Sequence, residues 1–303
     1  MMDASKKKKM KELGGEAVLF DVPMSRYTTL RVGGKVEALY KAKNLEALTK
    51  MTTFFTDERI PYLIMGRGSN LLVKDEGLKG AAIILEGTFA VIQNISLKEP
   101  LILAGAGVPL YKLVDFCTQK GLAGAEFLAG IPGTVGGGVA MNAGSWGREM
   151  SDVVDEATIM TDKGIVKRMD SKSLTFTYRG LHLNKGQFVL DARLNLKFDK
   201  PSLIKKNVAS NMQRRKERFP LSVPSAGSIF KNPTGDYAGR LIEAAGLKGK
   251  RIGGAMISAK HANFIVNKDN ASASDILALI DLAMVKVRDM FSIQLTPEIK
   301  VVG

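Results

Sequence analysis

Ala129-Gly130-Ile131-Pro132-Gly133-Thr134-Val135-Gly136-Gly137-Gly138-Val139-Ala140-Met141-Asn142-Ala143-Gly144 is the stretch on which the reading of this chain turns. No regular core strand or helix tolerates so much glycine. Glycine reaches positive φ without steric cost and lets backbone N–H groups converge on an anion. Pro132 stiffens the turn. Thr134 to Ala140 starts a helix, whose first N–H groups are expected to face a phosphate. A purely structural cluster of turns is the other reading. The spacing is not the dinucleotide fingerprint G-x-G-x-x-G. It is not a Walker A loop either, because no glycine is followed by the Lys-Ser/Thr pair at the required distance.

Working outward, Gly66-Arg67-Gly68-Ser69-Asn70 follows a strand over 62–65 and leads into Leu71-Leu72-Val73. Its glycines, hydroxyl and amide suit a second phosphate contact or a plain turn. Upstream, 32–43 reads as turn plus strand and 45–57 as a helix, so the start of the chain has an α/β pattern. Short strands are expected over 81–85, 90–95 and 101–104. A helix over 109–120 places Leu110, Leu113, Val114 and Cys117 on one face, and Gly121 stops it. Beyond the glycine-rich stretch, strands over 153–160, 164–169 and 188–198 have an antiparallel character. Pro201 and Ser202 open a long polar helix ending near Pro220, where a C-terminal domain is expected. That domain holds a helix over 238–245 capped by Gly246 and a strand over 262–266. Its last helix opens with a Ser272/Asp275 capping box and presents Ile276, Leu279, Ile280, Ala283 and Val287 on one face.

Composition narrows the function. The chain has 303 residues, 45% of them hydrophobic, enough for a large core in one to three domains. Its single cysteine, Cys117, allows no internal disulfide, which fits a reducing, cytoplasmic setting. No run of 18 apolar residues spans a bilayer. The formal net charge of +14 suits nucleic acid, a membrane surface or small polyanions, but no aromatic–basic stacking pattern accompanies it. Lys6–Lys9 and Lys11 are expected to lie in a disordered basic extension over 1–20, and Arg214, Arg215, Lys216 and Arg218 on a solvated helix face. Cys117, His182 and His261 are too scattered for a metal cluster. Ser228, beside Gly227 in Pro224–Pro233, is an exposed-hydroxyl candidate, yet G-x-S-x-G is absent and no triad is supported. Tyr178-Arg179 places a guanidinium after a strand-like segment, where it suits a carboxylate, a phosphate or a surface ion pair.

From Ser25 to Glu298 the chain resembles the bacterial UDP-N-acetylenolpyruvoylglucosamine reductases of peptidoglycan synthesis, in their shorter type II branch. The resemblance rests on ordered segments: 28–34, 66–73, 129–147, 224–233, 238–249 and 258–267. It implies an α+β protein. A two-lobed FAD-binding domain of the vanillyl-alcohol-oxidase/PCMH type would cover 21–200, with sub-lobes about 21–86 and 87–200. A C-terminal α/β substrate-binding domain would cover 201–303. FAD would be held by Arg67, Gly68, Ser69, Asn70 and Leu71, and by Gly130, Ile131, Pro132, Gly133, Thr134, Gly136, Gly137, Asn142, Ala143 and Gly144.

The resemblance further implies catalysis by Ser228 as proton donor, with Arg179 and Glu298 at the substrate carboxylate. Tyr178, Lys231, Asn232, His261 and Asn263 would contact the substrate. NADPH would be the reductant and an enolpyruvyl UDP-sugar the substrate, with no nucleic acid, membrane or metal involved and a monomer or weak homo-oligomer as the working form. Three anionic ligands then account for the basic charge. An oxidase of the same fold would instead need a base and a flavin-linking His or Cys motif, which neither His182 nor Cys117 supplies. Two departures stand out: Gly180 follows Arg179, and Trp146 stands where the family usually has Tyr.

Overall fold

The computed structural model describes residues 2–303. The chain divides into two compact units, each assembled from separated segments. Unit one takes the chain up to Phe20, Glu37–Gly66 and Gly80–Gln213; unit two takes Asp21–Val36, Arg67–Lys79 and Arg214–Gly303. The division after Gln213 lies inside the long polar helix, not at its start as expected, and two early segments belong with the C-terminal part.

Unit one begins with a correction. The lysine-rich start is a helix, α1 (Ala4–Gly14), not a disordered extension. Asp3 caps it by accepting from the Lys6 N–H at 2.8 Å. Met10, alone among the lysines, is fully buried and joins a core with Tyr40, Leu48 and Met51. Lys6 Nζ donates to the Glu58 carbonyl at 2.9 Å and pairs with its carboxylate at 3.2 Å. Asn44 accepts from the Ala47 N–H and starts α2 (Leu45–Asp57), which buries Leu48, Met51, Thr52 and Phe55. A four-stranded sheet runs in the order Val18–Pro23, Lys35–Ala42, Leu78–Leu85, Tyr62–Met65, the last two strands parallel.

The second sheet of unit one has five strands, in the order Val166–Asp170, Val154–Met160, Phe188–Asn195, Leu101–Gly105, Ile92–Asn94, and every pairing in it is antiparallel. Ala157 pairs with Ala192, and Ala192 with Ala104, giving a row of small, fully buried side chains. α3 (Leu110–Lys120) buries Leu110, Leu113, Val114 and Cys117, as its spacing predicts, and ends at Gly121 in the left-handed conformation. α4 (Val135–Ala140) lies in the glycine-rich stretch and packs on strands Phe188–Asn195 and Leu101–Gly105. α5 (Pro201–Arg218) ends the segment.

Unit two is an antiparallel sheet in the order Ser225–Ser228, Phe264–Asn267, Ala255–Ile257, Arg251–Ile252, joined by α6 (Ala238–Ala244) and α7 (Ala273–Phe291). α7 buries Ile276, Leu279, Ile280, Ala283 and Val287, the face expected from its periodicity, and the Ser272/Asp275 capping box forms. Asp75 reinforces that end: its carboxylate accepts from the Ala273 and Ser274 N–H groups at 2.8 and 2.9 Å. Lys300–Val302 pairs in parallel with Leu71–Val73. Among the described residues no helix is long and apolar enough to cross a membrane.

Candidate active site

The glycine-rich stretch serves packing before it serves any ligand. A Cβ on Gly136 would lie 2.6 Å from the Cβ of Ala106, and one on Gly66 would lie 2.4 Å from Thr134 Oγ1. Larger residues would push α4 off the alanine-lined sheet. The first N–H groups of α4 are not free, contrary to the phosphate-facing reading of the sequence. Val135 donates to the Val108 carbonyl at 2.8 Å, Gly136 to that of Ala106 at 2.9 Å, and Gly137 to Thr134 Oγ1 at 3.5 Å. The N–H groups of Gly130, Gly133 and Thr134 make no hydrogen bond within the described residues. Gly130 and Gly133 adopt φ of 75° and 152°. The donors available to an anion therefore lie in the loop before α4, and such a run of open amides suits a phosphate group. In unit two, the N–H groups of Gly68 and Ser69 are likewise unspent.

Asn142, expected to face the cofactor, uses its carboxamide inside the protein. It donates to the Thr177 carbonyl at 3.1 Å and accepts from the Ser151 N–H at 3.0 Å. Thr177 opens the two-residue turn Tyr178-Arg179 between strands Phe176–Thr177 and Gly180–Leu181. The Arg179 guanidinium lies over the Tyr178 ring, 5.2 Å from its centroid. A cavity of about 440 Å³ in unit one is lined by Trp146, Phe127, Arg148, Asn207 and Asn211 among others; of these, sequence reasoning had marked only Trp146, as a departure.

Unit two brings Ser228 and Glu298 into neighbouring chain segments despite their separation in sequence. The register of Ser225–Ser228 on Phe264–Asn267 slips between Ser225 and Ser228. Gly227, at φ 76°, sits in this bulge, and bulges re-aim the side chains beside them. The Ser228 hydroxyl makes no hydrogen bond within the described residues. Phe230 bridges Pro297, and the Glu298 N–H donates to the Ile229 carbonyl at 2.7 Å. Asn70 Nδ2 donates to the Glu298 carbonyl at 3.1 Å, which ties the serine–asparagine loop to the same place. Ser228, Glu298 and Asn70 thus stand on adjoining segments joined by backbone pairing and by the Asn70 amide.

Other substrate candidates divide. Asn263 is buried and both ends of its carboxamide bond the backbone of Phe230, at 2.8 and 2.9 Å, so it fixes the strand after Ser228. Asn232 accepts from the Ala238 N–H at 3.1 Å, at the entry to α6. The Lys231 ammonium makes no ion pair within the described residues. His261 Nδ1 accepts from the Asn263 N–H at 3.2 Å. Burial first, and then Lys248, hold the His261 imidazole below its ordinary pKa. Its ring packs against Phe219 and Phe264.

Sequence reasoning missed this aromatic group, and it misplaced Arg215, which is buried instead of solvated. The Arg215 guanidinium lies 5.1 Å from the Phe219 centroid, its Nε has no hydrogen-bond partner, and burial lowers its pKa to about 10. The Arg215/Phe219 spacing of four at the end of a helical pattern was the available signal.

Comparison with known proteins identifies the family. Residues 36–170 match the family model described as an FAD binding domain. The chain is thus an FAD-dependent oxidoreductase in class. Residues 219–302 match the model described as the C-terminal domain of UDP-N-acetylenolpyruvoylglucosamine reductase. A protein of that name from Syntrophus aciditrophicus is 41% identical over 98% of this chain and 96% of its own length. One from Caldanaerobacter subterraneus is 39% identical over 97% of each. The crystal structure of the reductase from Thermus caldophilus superposes with a TM-score of 0.81 at 39% identity, covering 93% of this chain and 98% of that one. The chain belongs to the UDP-N-acetylenolpyruvoylglucosamine reductase family.

Proposed function

We propose that this protein reduces the enolpyruvyl group of UDP-N-acetylglucosamine enolpyruvate to give UDP-N-acetylmuramate, with NADPH as reductant and FAD as cofactor, in peptidoglycan precursor synthesis. The observation that carries the reading is the unengaged Ser228 hydroxyl, set by a bulge beside the ladder that bears Glu298. FAD, when bound, would supply the hydride chemistry, with NADPH as the source of reducing equivalents and the terminal vinyl carbon of the substrate as their destination. The open amides of Gly130, Gly133 and Thr134, and those of Gly68 and Ser69, are the groups suited to its phosphates.

The chain's own residues then handle charge and proton. Negative charge grows toward the substrate carboxylate as the vinyl carbon is reduced. Arg179, in unit one, offers a planar, two-pronged donor suited to that carboxylate, and Glu298 is the acidic group that unit two contributes to the set. Ser228 donates its proton to the carbon beside the carboxylate and recovers one from water. Hydride and proton together account for the two hydrogens gained. Lys231 supplies charge for the diphosphate of the substrate. The site works in a protein that is neither nucleic-acid-binding nor membrane-bound, acting in the cytoplasm as a monomer or weak homo-oligomer.

The test is a pair of half-reactions on purified holoprotein. NADPH should bleach the flavin colour, and the enolpyruvyl sugar nucleotide should restore it. Ser228→Ala should leave bleaching intact and slow recolouring about 10²–10⁴-fold, the range of a lost proton donor. A protein that takes up no FAD, or that bleaches and is not recoloured by this substrate, defeats the reading.

A further inference from the structure

We propose that Asn142 is a positioning residue for Arg179, acting through the backbone of Thr177. The proposal rests on the reading of Arg179 as the carboxylate-binding group. Arg179 stands at φ 62°, in the left-handed region. A residue with a Cβ is disfavoured there by roughly 1–2 kcal/mol, so the surrounding structure has to impose the conformation. The hairpin that carries it is short: Phe176 pairs with Leu181 and Thr177 with Gly180, with one further backbone bond from the His182 N–H to the Thr175 carbonyl at 2.9 Å and the Thr177 hydroxyl donating to the Gly180 carbonyl at 3.4 Å. A ladder that short does not hold its own turn rigid.

Asn142 supplies the external hold. It is fully buried, and its own φ of 43° suits asparagine better than most residues. Its Nδ2 donates to the carbonyl of Thr177, two residues before Arg179, at 3.1 Å. Its Oδ1 is fixed in turn by the Ser151 N–H at 3.0 Å, so the amide has one orientation. Asn142 lies two residues beyond the end of α4, which packs on the central strands of the five-stranded sheet and also on Gly180–Leu181. The glycine-rich segment thereby serves as the rigid base from which the arginine turn is aimed. A displacement of about 1 Å at a binding group costs on the order of 10²-fold in rate, enough for such a tie to matter.

Asn142→Gly removes the carboxamide and keeps the left-handed backbone accessible. In the holoenzyme, recolouring of the bleached flavin by the enolpyruvyl sugar nucleotide should slow roughly 10–100-fold, while bleaching by NADPH changes by less than about twofold. Amide hydrogen exchange should quicken over 176–181 and not over 188–195. Asn142→Asp carries a carboxyl that donates to the Thr177 carbonyl only when protonated. Its recolouring rate relative to the parent should therefore rise as pH falls, and that of Asn142→Gly should not. Placed on Arg179→Lys, Asn142→Gly should cost much less than it does alone, since both act through one guanidinium.

Equal slowing of both half-reactions, unchanged exchange over 176–181, or full additivity with Arg179→Lys would each overturn the proposal. If Arg179→Lys recolours at the parental rate, the role assigned to Arg179 itself fails, and this proposal with it.

Discussion

At the scale of single residues, burial decides chemistry more than residue type does. Cys117 is a thiol on a helix, yet it lies in the core of unit one, and burial, helped by Glu126, pushes its pKa up to about 12. It should resist alkylation in the native protein and react only after unfolding; labelling with iodoacetamide at increasing denaturant checks this. The His261 imidazole is held below its ordinary pKa, chiefly by burial. The unfolded chain therefore takes up this proton more readily than the folded one. The contribution of His261 to stability is complete above about pH 6.5 and is lost as pH falls from there toward the folded-state value. Tm measured against pH should drop over that interval, and His261→Gln should flatten the slope. Asn263 and Asn142 teach the same lesson in polar form: both were marked as ligand residues, and both spend their carboxamides on backbone.

At the scale of elements, helix ends and one bulge set the site. Gly227 takes φ 76°, and a Cβ there would meet nothing within 4 Å. Gly227→Ala should thus cost only the backbone term, roughly 1–2 kcal/mol, and should slow recolouring of the flavin by substrate, because Ser228 is re-aimed; stopped-flow absorbance separates the two effects. Asp75 sits at the start of α7 with its carboxyl held below the ordinary carboxylate range: burial works against this, and the hydrogen bonds from Ala273 and Ser274 prevail. Its contribution is present above the unfolded pKa and lost as pH falls through the folded one. Asp75→Ala should lower stability by about 1 kcal/mol at neutral pH, measured by urea denaturation. α1 belongs to the fold and not to a tail, so Met10→Ala should destabilise by about 2–5 kcal/mol, as burying a methionine in a packed core implies.

At the scale of the whole molecule, two cores are built from interleaved segments, and a strongly basic chain receives anionic ligands. A formal charge of +14 should raise encounter rates with NADPH and the UDP-sugar at low salt. KM for both should rise with ionic strength, and a KM indifferent to salt from low to physiological concentration would contradict this. FAD at a hundred times its Kd should add about 2.7 kcal/mol to stability, visible as a higher Tm in the holoprotein.

Much of this was legible in the chain. The helices Leu45–Asp57, Leu110–Lys120 and Ala273–Phe291 carry their own caps and apolar faces, so local periodicity was enough to place them. The family was legible too, because ordered motifs survive in a linear text. Strands Ser225–Ser228 and Lys300–Val302 were not, since a few residues have no period and become strands only by pairing with distant partners. The glycine-rich stretch shows both sides. Its composition announced a backbone in close approach, and that was right. Whether the partner was a phosphate or an alanine-lined sheet depended on Ala104, Ala106 and Ala192 being brought beneath it, and on which N–H groups that packing consumed. Residue types determined which chemistry was available, and tertiary packing determined which of those groups were left free to perform it, because a buried donor must be satisfied by the nearest acceptor before any ligand arrives.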